Sequence, residues 1–74
     1  MITQIGIVAG DIWSYLESHN KADQMDNIIS GLGRSRDVVL MSIGWLAREG
    51  HVVLEGDAPD FTVKLTNEKG RRNE

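Results

Sequence analysis

At Gly50 the spacing of apolar residues changes period, and this change restricts the chain to folds in which helices come first and strands last. Upstream, Ile5, Val8, Ala9, Ile12, Trp13 and Leu16 recur at i, i+3, i+4 and i+7, the spacing of one apolar helical face. Downstream, His51-Val52-Val53-Leu54-Glu55 and Phe61-Thr62-Val63-Lys64-Leu65 are short β-rich runs. They are separated by Gly56-Asp57-Ala58-Pro59-Asp60, which reads as the loop of a hairpin.

Capping residues divide the helical part into three. Thr3 is placed to cap helix 1, and Asn20 to end it in the left-handed conformation. Gly6 and Gly10 share one face of this helix; each costs about 1 kcal/mol relative to Ala, so a closely packed neighbour is expected there. Asp23 and Asp26 mark the start of a short helix 2 of roughly ten residues, with Met25, Ile28, Ile29 and Leu32 on its apolar face. Gly31 and Gly33 break it, Ser35 caps helix 3, and helix 3 runs from Arg36 to about Glu49, where Gly50 stops it. Thr66 is placed to cap a last short turn, and Gly70 with Arg71-Arg72-Asn73-Glu74 reads as a flexible tail.

The order predicts an α+β winged helix-turn-helix: a three-helix core followed by a two-stranded antiparallel β-hairpin, the wing. The domain spans 1–68 and the tail 69–74. In such a fold helix 3 is the recognition helix and residues 56–60 form the wing tip. Ile5-Gly6, Ala9-Gly10, Ile12-Trp13 and Leu16 carry a resemblance to a known family, and Ile43-Gly44-Trp45-Leu46-Ala47-Arg48-Glu49-Gly50 carries it further. With these residues the chain resembles, over about residues 3–68, the small winged helix-turn-helix proteins of bacteria and archaea. The resemblance implies the fold; the DNA binding it suggests is drawn from that fold by analogy.

Composition narrows the function. Seventy-four residues allow one compact core. Without cysteine there is neither disulfide nor thiolate metal site, and His19 and His51 stand apart from any carboxylate set, so no metal or cofactor is expected. Gly31-x-Gly33 is too short for a phosphate loop. No Ser/His/Asp spacing suggests catalysis, so the chain reads as a non-enzyme. No signal segment or long apolar run is seen, so a cytoplasmic protein with no membrane contact is expected.

Two functions compete. Association with double-stranded DNA, as in transcription regulators, assigns phosphate contacts to Arg34, Ser35 and Arg36 and presents Ser42, Trp45 and Arg48 to the groove. Against it stand a net charge of −3 and the wing acids Glu55, Asp57 and Asp60, offset by Lys64 alone. Val39, Ile43 and Leu46, with Ala47 at the edge, form the core face of helix 3. The opposite face holds Asp37, Val38, Met41, Gly44, Trp45 and Arg48, mostly apolar where base-reading groups belong. Either Met41 and Trp45 fold over and complete the core, or Met41, Gly44, Trp45 and Arg48 form an exposed interface for a protein partner or a second copy. The arginines have a plainer reading too, as surface charges paired with Asp37 or the acids of helix 2.

Overall fold

A computed structural model describes residues 2–57 and 60–66. Along them run α1 (Ile2–Glu17), β1 (Ala22–Gln24), α2 (Met25–Leu32), α3 (Arg36–Arg48), β2 (Val52–Glu55) and β3 (Thr62–Leu65). Helix α1 is already under way at Ile2, so Thr3 lies within its first turn and does not cap it. Asn20 is left-handed as expected, at φ 65°, and Lys21 repeats the conformation at 70°. These two residues reverse the chain, and the Lys21 amide closes the turn on the Leu16 carbonyl at 2.7 Å.

The expected two-stranded hairpin is a three-stranded antiparallel sheet of order β1-β3-β2. β1 pairs Ala22 with Lys64, Asp23 with Val63 and Gln24 with Thr62, while β2 pairs Val52 with Leu65 and Leu54 with Val63. Bonds from the Leu65 amide to the Lys21 carbonyl and from the Met25 amide to the Phe61 carbonyl flank the β1 ladder. Ala22-Asp23-Gln24 has no β-branched or aromatic residue and no apolar alternation, the two signals by which a strand is read. Its strand state comes from the partner β3 supplies.

This strand moves the start of α2. Gln24 takes the N-cap position without a side-chain bond, and Asp23, expected to cap, lies in β1. Gly31 is inside α2, and only Gly33, at φ 67°, ends it. Ser35 precedes α3 at the N-cap position, but its hydroxyl makes no capping bond. Gly50 follows α3 at φ 82°, a conformation that favours glycine.

One core joins the layers. Val8, Ala9, Ile12 and Leu16 of α1 meet Ile28 of α2, Val39, Ile43 and Leu46 of α3, and Val52, Val63 and Leu65 of the sheet. The hairpin is tied to α3 at its open end, where Thr66 donates from Oγ1 to the Gly50 carbonyl at 2.9 Å and from its amide to the His51 carbonyl at 3.0 Å. The turn Thr66 was expected to cap and the tail 69–74 lie outside the described residues.

Candidate functional site

The core face of α3 is broader than its apolar spacing suggests. Val38, assigned to the outer face, is buried, and so is Ser42, assigned to the DNA groove. The Ser42 hydroxyl is spent internally, donating to the Val38 carbonyl at 2.8 Å and reaching the Ile5 carbonyl of α1 at 3.3 Å. At 100° per residue Val38, Ser42, Leu46, Val39 and Ile43 cover an arc of about 140°. A small hydroxyl that bonds the carbonyl one turn back fits such an arc without an unpaired donor, and it cannot reach a base.

The arginines before α3 face protein carboxylates. Nε and Nη2 of Arg34 lie 2.9 and 2.8 Å from Oδ2 of Asp11 on α1, so its partner is on neither α2 nor α3. Arg36 lies 3.9 Å from Asp26 of α2, with both side chains largely in solvent. In the wing, Lys64 is 3.7 Å from Glu55, which leaves Asp57 and Asp60 as the charge near the tip. Arg48, at the far end of α3, is exposed and has no ion-pair partner among the described residues.

The apolar outer face is open. Trp45 is 45% and Met41 44% exposed, so neither completes the core, and Trp13, grouped by its spacing with the core face of α1, is 45% exposed. The two tryptophans line a shallow, open groove of about 280 Å³ between α1 and α3, together with Gly6, Ala9, Gly10, Leu46 and His51. The His51 ring is 6.3 Å from that of Trp45, tilted by 35°. A Cβ built on Gly6, Gly10 or Gly44 meets no atom within 4 Å, so the close neighbour expected beside Gly6 and Gly10 is absent among the described residues. Trp13 sits at the rim of the apolar arc of α1, on the side of the two glycines, and that offset is the signal that separates it from the core.

A polar cluster braces the C-terminal end of α1. The Tyr15 hydroxyl donates to Oδ2 of Asp23 at 2.7 Å, and Oδ1 of Asp23 accepts from the Gln24 amide at 2.8 Å and Asn27 Nδ2 at 2.9 Å. The Asn27 and Tyr15 donors hold the Asp23 carboxyl below its ordinary range. The bond to Asp23, with desolvation and the carboxylate's charge, raises the Tyr15 phenol. His19 stacks on the Tyr15 ring at 3.9 Å, and its Nδ1 lies 2.6 Å from the Tyr15 carbonyl. These bonds fasten α1 to β1 and α2; Asp23 thus acts at the start of α2, one residue before the cap.

Residues 1–65 match the family described as winged helix-turn-helix domain (DUF2582). An uncharacterised protein of Methanocaldococcus jannaschii is 36% identical over 63 residues, covering 84% of this chain and 90% of its own. Among solved structures, a chain from work on the DNA recognition and protein interaction domains of HOP2 superposes with a TM-score of 0.71 at 19% identity. The match covers 80% of this chain and 98% of that one; at this identity it speaks for the fold alone. Among the described residues no helix is long and apolar enough to cross a membrane.

Proposed function

The chain belongs to the DUF2582 winged helix-turn-helix family, and from that premise we propose that it is a protein-interaction module, with the outer face of α3 and the adjoining α1 groove as its docking surface. One observation carries this reading: Met41, Trp45 and Trp13 stand half in solvent around glycines whose Cβ positions are empty. Exposed aromatic anchors beside small residues let a partner backbone approach and bury large apolar area, as interface hot spots do. Arg48 provides a charged rim.

A second reading, association with double-stranded DNA in the manner of a transcription regulator, is favoured by Arg36, which extends into solvent at the start of α3 beside Ser35. It has less support. Ser42 is buried, Arg34 is held by Asp11, and the wing is acidic.

Fluorescence anisotropy with a labelled random duplex at low salt separates the two. Under the interaction reading no binding is expected at protein concentrations spanning the roughly 10⁻⁶–10⁻⁴ M range of non-specific DNA binders. Binding in that range that is lost in an Arg36→Ala, Arg48→Ala double variant would overturn it in favour of DNA.

A further inference from the structure

We propose that the occupant of the α3 face is a second copy of this chain, with the two α3 helices packed antiparallel about a two-fold axis. This inference rests on the interaction reading above and names its partner. Asp37, Met41, Gly44 and Arg48 follow the four-three-four spacing of a coiled-coil seam. All four are exposed, and they line the side of α3 opposite its core arc, in a row about 16 Å long at 1.5 Å per residue.

The row is complementary to its own reverse. Laid antiparallel on a second copy, Arg48 of each chain falls on Asp37 of the other, and Met41 of each falls on Gly44 of the other. Both ends thereby join opposite charges, and both inner layers place a long flexible side chain over an empty Cβ position. Neither Asp37 nor Arg48 has an ion-pair partner among the described residues, whereas Arg34, Arg36 and Lys64 are each paired within the chain. A parallel pairing sets Asp37 on Asp37 and Arg48 on Arg48, so like charges repel at both ends. The symmetry is that of an isologous interface, in which residue i meets j and j meets i. Leu40 and Trp45 flank the row on its two sides, so the Trp45 indole is covered as the helices meet. Helix α3 has 13 residues, a footprint of about 20 by 10 Å; this lies well below the roughly 1,200 Å² that stable interfaces bury, so the dimer is expected to be weak and reversible.

Sedimentation equilibrium on the whole chain, Asp37→Arg, Arg48→Asp and their equimolar mixture tests the pairing, with circular dichroism confirming the fold. The wild type is expected to dimerise reversibly. Each single variant, with like charges at both ends of its own dimer, is expected to associate at least about tenfold more weakly. The mixture is expected to recover the wild-type association, because opposite charges then meet at both ends. The weakening of the single variants marks the antiparallel register, since a parallel pair sets like charges together in the wild type and in either variant alike. Gly44→Gln, which fills the hole without changing charge, is expected to weaken association while keeping the fold. A wild type still monomeric at about 1 mM, single variants that dimerise like wild type, or a mixture that fails to recover overturns the inference. A monomer that also ignores duplex DNA overturns the dimer and leaves the interaction reading standing. Duplex binding lost in the double variant overturns that reading itself.

Discussion

Replacing glycine by alanine at two helical positions of this chain is expected to give opposite results. Gly44 lies in the interior of α3, where an added Cβ meets nothing within 4 Å. Alanine there gains the helix propensity glycine lacks, about 1 kcal/mol, with no steric charge against it. For a domain of this size that corresponds to a rise in Tm of about 4–8 °C. Gly31 lies in the last turn of α2, and a Cβ there falls 2.6 Å from Cε2 of Tyr15 and 3.3 Å from Cζ and the hydroxyl oxygen. The ring cannot step aside freely, being stacked on His19 at 3.9 Å and bonded to Asp23 at 2.7 Å. A hydrogen bond to a charged group is worth about 1.5–3 kcal/mol, which exceeds the propensity gain, so Gly31→Ala is expected to destabilise by about 1 kcal/mol. Urea unfolding followed by circular dichroism at low protein concentration reads both, as shifts in midpoint at constant slope. A loss of stability in Gly44→Ala, or an equal gain in both variants, would refute the reasoning.

The Tyr15–Asp23 cluster predicts a stability profile with two pH-dependent limbs. Asp23, depressed by its Asn27 and Tyr15 donors, contributes stability present above the ordinary Asp value of about 4 and lost as pH falls through its lower folded value. Tyr15, raised by its bond to Asp23, contributes stability present below the ordinary phenol value of about 10 and lost as pH rises through its higher folded value. Urea midpoints across pH are expected to lose the Asp23 part of the acid limb in Asp23→Asn and the alkaline limb in Tyr15→Phe; unchanged limbs would show that the cluster does not form. Arg34→Ala removes a partly exposed ion pair with Asp11 and is expected to cost about 0.2–1 kcal/mol at low salt, less at high salt. A salt-independent loss would mean that packing of the arginine stem, not its charge, holds it there.

The helices and the hairpin were legible because their signals are local. Apolar spacing located Val8, Ile12, Leu16, Val39, Ile43 and Leu46 in the core, and the left-handed stops at Asn20, Gly33 and Gly50 fell where residue type placed them. β1 was not legible, since three residues without strand character are recruited by a segment far along the chain. Ser42 and Trp13 misled in opposite directions: Ser42 was assigned to the exposed groove, and helical spacing grouped the Trp13 indole with the core face. The width of one arc and the rim position in the other decided the opposite. Of the residues considered for DNA, Arg34, Ser35 and Arg36 do gather at the start of α3, but the sequence carries no local mark that Asp11, twenty-three positions earlier, would hold Arg34.

The central place of β3 also has a consequence in time. β1 and β2 pair with β3 and not with each other, and Ala22 meets Lys64 across about 40 residues of intervening chain. Closing so long a loop is slow compared with forming helices. The helices α1, α2 and α3, whose bonds are local, can therefore form first, while the segment after α1 stays without a ladder until Thr62–Leu65 arrives. When it does, carrying β2 with it as a local hairpin, Val63 and Leu65 join the core and β1 gains its partner. The shortest strand in the fold thus depends on the longest loop closure in its sheet.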